Sequence, residues 1–223
     1  MKDRSQAILS IIINIFLVLS TAIIIVYGVH MGAGAGQLGF RMYGWGYLKA
    51  YTNLSNLLAG IAAAFVLFFE LQNLGKAEKC PRSVFILQYS AAVSVGLTFL
   101  IVVCFLGPMF AVQGLGYFTM FSGEMIFFHL LNPLLCGVDF VLLQKQHILT
   151  RKDNFLALLP TLLYSLVYLT MVVFVGTWDD FYNFTLGGHY ALSPLCMLVI
   201  YTITYGIAFL QRRLHNKMVR TNK

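Results

Sequence analysis

Six stretches of this chain run for about 20 residues with almost no charge, which is the length an α-helix needs to cross a bilayer. They fall at roughly 8–29, 52–72, 84–107, 122–143, 155–176 and 190–210. The expected fold is therefore all-α: a polytopic membrane protein, a six-transmembrane-helix bundle forming one domain over residues 1–223. Composition agrees. The chain is 59% hydrophobic and 10% charged, where a water-soluble domain carries about 25% charged residues. The formal net charge of +7 does not point to nucleic acid. The basic residues sit in short connections between apolar runs, where they act as orientation signals.

Those signals sort cleanly by side. Lys2 and Arg4, then Lys76, Lys79 and Arg82, then Lys145, Arg151 and Lys152, and finally the carboxyl tail all fall on one side. Arg41 and Lys49 fall on the other. Both termini are thus expected in the cytoplasm, and the short loops fit a bacterial plasma membrane. The first segment exceeds the roughly 7–15 apolar residues of a signal peptide, so it reads as a retained helix. A glycine-rich loop from Gly32 to Gly46 follows it. Cys80, Cys104, Cys136 and Cys196 form no close-spaced pair, so neither zinc nor a disulfide framework is expected. Asp179, Asp180 and His189 read as a solvated loop rather than a metal site. No metal and no cofactor are expected, and nothing in the chain speaks to oligomeric state.

Polar groups within apolar helices are costly, so each asks for a reason. Thr52, Ser55 and Asn56 open the second segment at i, i+3 and i+4 and share one face. They suit a helix cap or polar glue between helices. In the fourth segment His129 lies roughly 10 Å from the outer end. Asn132, Cys136 and Asp139 continue along nearly the same stripe. Asp139 is about 15 Å below His129, too far to orient it, whereas Asn132 is well placed to do so. Glu124 marks the mouth of the bundle. Thr52 and His129 share the outer half of the membrane, and a hydroxyl beside an imidazole makes a nucleophile and its base. Ser55 is the rival nucleophile. Tyr164 and Tyr168, one turn apart in the fifth segment, pack or line a cavity.

Taken in order, Tyr51-Thr52-x-x-Ser55-Asn56, His129-x-x-x-Pro133 with Asp139 beyond it, and Pro160-x-x-x-Tyr164-x-x-x-Tyr168 resemble bacterial relatives of the androgen-induced-gene / FAR-17a family, the Pr6Pr group. The resemblance covers most of residues 8–210. Its animal members are intramembrane threonine hydrolases of fatty acid esters of hydroxy fatty acids. It implies Thr52 as nucleophile and His129 as base. Ile126, Phe127 and Phe128 stand where the animal proteins keep further Asn and His residues. The expected function is a lipid-ester hydrolase acting on membrane lipids or fatty-acyl esters. The rivals are a small-solute transporter or channel using the His129–Asp139 seam, and a lipid-binding protein without chemistry.

Overall fold

The computed structural model describes residues 4–31, 44–73 and 80–221. Lys2, Arg41, Lys76, Lys79, Lys223 and most of the glycine-rich loop lie outside them. Among the described residues the long elements are helical: α1 Arg4–His30, α2 Tyr51–Gln72, α3 Arg82–Val112, α4 Phe127–Leu143, α5 Arg151–Val175 and α6 Tyr190–Thr221. Five of these, all except α4, are long and apolar enough to cross a membrane. The expected 122–143 helix is shorter than its apolar run. Gly123 takes a φ of 61° and Gly116 a φ of 83°, left-handed conformations that suit glycine. Between them Tyr117–Phe121 folds as a 3-10 turn, its Tyr117 ring lying against Gly107 of α3.

Other boundaries have equally local causes. α5 starts at Arg151 rather than near 155 because Thr150 and Asp153 cap each other's backbone amides. α3 continues past Pro108, and α4 past Pro133, because each proline follows a π-helical turn: Val102–Leu106 and Phe127–Leu131. A proline has no N–H to return to the carbonyl four residues back, and the wider turn accommodates that loss.

The helices are apolar outside, and their polar residues face inward within an apolar core. The buried face of α1 holds Ser10, Asn14, Ser20 and Thr21, while Ile12, Leu19 and Ile23 are exposed. α5 likewise exposes Phe155, Leu159 and Leu163. Such a surface fits a hydrocarbon surround and not water. α3 is central: every residue from Gln88 to Val95 is buried, against α2, α4, α5 and α6. The chain alternates direction, so α1 begins and α6 ends at the same basic end, with Arg82, Lys145 and Arg151. Tyr47, Trp178 and Phe181 lie at the opposite, aromatic end.

α1 and α2 approach closely at Gly60, where an added Cβ would lie 2.8 Å from the Thr21 Cβ. A branched side chain at 21 cannot swing aside, so Gly60→Ala should lower stability by about 1–3 kcal/mol. Gly206→Ala, with nothing within 4 Å of the new carbon, should be neutral or mildly stabilising. Thermal unfolding of the two variants in detergent checks the contrast.

Candidate active site

α2 and α4 run parallel, and two buried asparagines fix their register. Asn132 Nδ2 donates to Asn56 Oδ1 at 3.1 Å, and Ser20 Oγ donates to Asn132 Oδ1 at 2.9 Å. Asn56 Nδ2 donates to the Thr52 carbonyl at 2.8 Å and the Phe128 carbonyl at 3.1 Å. Thr52 stands one turn before Asn56, and His129 one turn before Asn132. On parallel helices joined at the asparagines, the preceding turns reach the same level. Thr52 and His129 accordingly line one cavity of about 710 Å³.

His129 is 4% exposed and sits inside the π-helical turn. Its Nδ1 meets the Met120 carbonyl at 2.5 Å. A carbonyl only accepts, so Nδ1 carries the proton and Nε2 the lone pair in the neutral ring. That is the tautomer a general base needs. Asn132 was expected to orient this ring. Its amide is instead engaged by Ser20 and Asn56, and the carbonyl of Met120 holds Nδ1. Thr52 is half-buried in the first turn of α2. Thr52 and His129 both line the cavity.

The cap reading of the Thr52 cluster does not hold. The residue before α2 is Ala50, with no side-chain cap. The glue reading does hold for the other two members. Asn56 joins α2 to α4, and Ser55 lies 3.1 Å from the Thr98 hydroxyl of α3 while donating to the Thr52 carbonyl. Ser55 is 2% exposed, and Thr52 rather than Ser55 lines the cavity.

The two tyrosines of α5 part company. Tyr164 lines the cavity, donates to the Lys49 carbonyl at 2.7 Å and meets the Tyr51 ring edge-on. Tyr168 is fully buried and donates to Asp180 Oδ1 at 2.9 Å. Asp180 therefore organises the loop after α5. Its carboxylate also accepts the Thr185 hydroxyl and the amides of Phe184 and Thr185. Burial opposes its charge, but the Thr185, Tyr168 and Phe184 bonds outweigh that and hold it below the usual carboxylate range.

The loop so fixed brings Phe181, Tyr182 and Phe184 onto the cavity. Tyr182 is the residue that the sequence did not single out. Its oxygen accepts the Tyr51 amide at 2.9 Å, at the N-terminus of α2 beside Thr52. Burial pushes its hydroxyl up to about 12, so it keeps a proton to donate. Only its place in an aromatic run, Phe181-Tyr182-Asn183-Phe184, hinted at a wall. The remaining walls are mainly apolar, with Ile101, Phe105 and Met109 of α3 and Ile200 and Ile203 of α6, and they also carry Thr98, Thr161, Ser165 and Glu124.

Asp139 is elsewhere. It lies at the basic end in a closed polar box, accepting from Ser10 Oγ at 2.5 Å, Asn14 Nδ2 at 2.9 Å and Gln88 Nε2 at 2.6 Å. Ser10 and Gln144 also contact Glu70 Oε1 at 2.8 and 2.7 Å. The seam drawn from His129 to Asp139 is thus two separate polar clusters, and the cavity reaches the first alone.

The chain matches no family model, and neither curated proteins nor solved structures give a match.

Two measurements check these assignments. Asp139→Leu strands the donors of Asn14 and Gln88 and should cost on the order of 3 kcal/mol, whereas Asp139→Asn keeps an acceptor and should cost less; thermal unfolding ranks them. Asp180 is depressed, so its contribution is complete above its ordinary pKa and is lost as pH falls through the lower folded value. Trp178 fluorescence should hold steady from neutral pH to about 5 and change only below the usual carboxylate range.

Proposed function

We propose that this protein is an integral-membrane lipid-ester hydrolase with Thr52 as nucleophile and His129 as its base. The observation that carries the reading is their meeting in one largely apolar cavity, with the imidazole held in the base tautomer by Met120. A volume of about 710 Å³ falls within the roughly 300–1,000 Å³ of small-ligand sites. Its apolar walls suit acyl chains. The resemblance of the Thr52, His129 and Tyr164 motifs to the androgen-induced-gene / FAR-17a family supports the same chemistry.

In this mechanism His129 Nε2 takes the Thr52 proton as Oγ1 attacks the ester carbonyl. Tyr182 donates to the developing oxyanion, aided by the positive end of α2. The C–O bond breaks, the alcohol leaves with the proton from His129, and Thr52 remains acylated. Water then attacks, with His129 again the base, and releases the carboxylic acid. Asn56 and Asn132 act as positioning residues.

The bundle crosses the membrane six times, α4 being 17 residues long, near the lower limit for a span. The basic end faces the cytoplasm of a bacterial plasma membrane, and the active site opens in the outer half. The Lys and Arg distribution supports this orientation. The transporter reading is less well supported, because the Asp139 box is closed and separate from the cavity.

Labelling of purified protein by a fluorophosphonate probe tests the assignment. Wild type and Ser55→Ala should label; Thr52→Ala and His129→Ala should not. Tyr182→Phe should slow labelling by about 10²–10³-fold. Undiminished labelling of Thr52→Ala, or none of well-folded wild type, would falsify the mechanism.

A further inference from the structure

The carboxyl-terminal part of α6 carries a stripe: Phe209, Arg212, Arg213, Asn216, Lys217 and Arg220, spaced by three and four residues along one face. Together with Arg151 at the start of α5 these residues line a second cavity, of about 610 Å³, at the basic end. It is distinct from the Thr52 site in position and in character. No carboxylate lines it. Asp153, the nearest acid in sequence to Arg151, is held by Arg82 at 2.8 Å.

Five cations around one hollow repel one another and favour an anion between them. Among the described residues none of the five has a carboxylate partner. Arg151, Arg213, Lys217 and Arg220 are exposed around the hollow, whereas Arg212 is half-buried and its Nε is buried with no hydrogen-bond partner among the described residues. The guanidinium groups of Arg212 and Arg213 also lie over the Phe209 ring at 5.5 and 5.3 Å, which fixes their direction.

Depth identifies the anion. α6 has 32 residues, about 48 Å at 1.5 Å per residue, against a hydrocarbon core of roughly 30 Å. Its last three turns therefore stand at the level of lipid phosphates. Toward the bundle centre the groove between α5 and α6 is closed by the Phe155–Tyr205 contact, with ring centroids 5.7 Å apart. Flanking it, Phe155, Leu159, Leu210 and Leu214 are exposed and apolar. A phosphate in the hollow leaves its acyl chains along that surface.

We propose that this hollow binds the headgroup of an anionic phospholipid, with the arginines forked on the phosphate oxygens and Lys217 supplying charge. The proposal rests on the membrane reading of the chain and is independent of the hydrolase reading. Zwitterionic headgroups leave the excess positive charge uncompensated and bind more weakly.

Native mass spectrometry of the full chain in detergent, with equimolar phosphatidylglycerol and phosphatidylcholine, tests it. Wild type should retain phosphatidylglycerol preferentially. The Arg212→Gln/Lys217→Gln variant should retain it roughly thirty-fold less well, from about a fivefold loss per charge. Lys145→Gln/Lys152→Gln, which removes two charges at the same end outside the hollow, should match wild type. Wild-type thermal unfolding gives a readout that needs no variant: phosphatidylglycerol should raise Tm, and high salt should cancel the rise. Equal retention of both lipids, or equal loss in the two double variants, overturns the proposal. Stabilisation by inorganic phosphate equal to that by the lipid also overturns it, because the site would then serve a free anion.

Discussion

The amide contact between Asn56 and Asn132 governs the interior of this bundle. In hydrocarbon an unsatisfied amide costs several kcal/mol, so two asparagines on neighbouring helices have a strong reason to meet. Once they do, α2 and α4 have little freedom to slide. Ser20 adds α1 to the same clasp, and the Phe128 carbonyl ties it to the π-helical turn. Everything placed one turn above inherits this register, including the hydroxyl of Thr52 and the imidazole of His129. A shift of one residue along α4, about 1.5 Å of rise and 100° of rotation, would both break the clasp and turn His129 out of the cavity.

The same constraint explains why the polar residues form clusters rather than a continuous path. Each polar group is satisfied by near neighbours: Asp139 by Ser10, Asn14 and Gln88, Asn132 by Ser20 and Asn56. Between the helices apolar contacts fill the remaining space. Phe140 stacks on Tyr89 and on His215, with ring centroids 5.1 and 5.0 Å apart. Between the box at the basic end and the cavity at the aromatic end lie the buried Ala59, Ala62, Ala63 and Cys136 of the core. One end is filled by hydrogen-bonded side chains and the other holds the cavity.

Much of this was legible in the sequence. Long apolar runs located the five helices long enough to span a membrane, because length and hydrophobicity dictate them, whereas the fourth run yields only the shorter Phe127–Leu143 helix. The spacing of Thr52, Ser55 and Asn56, and of His129 and Asn132, marked the faces that turn inward. What was not legible depends on contacts between distant segments. The Met120 carbonyl, and not Asn132, orients His129, because the chain before α4 folds back in a 3-10 turn. Ser55 is spent on Thr98, a helix–helix contact that spacing along α2 cannot reveal. Tyr182 reaches α2 only because Asp180 shapes its loop. Two further signals stand in the sequence: the Thr150-x-x-Asp153 capping pair that starts α5, and the basic stripe that carries α6 beyond its apolar run.

In the proposed mechanism the Thr52 hydroxyl becomes acylated. The most direct test is to mix the purified protein with a long-chain p-nitrophenyl ester, quench in acid during turnover and map the acyl group by peptide mass spectrometry. The account predicts a mass increment of one acyl chain on Thr52, absent in His129→Ala. An acyl group on any other side chain, or turnover without a covalent intermediate, would contradict it.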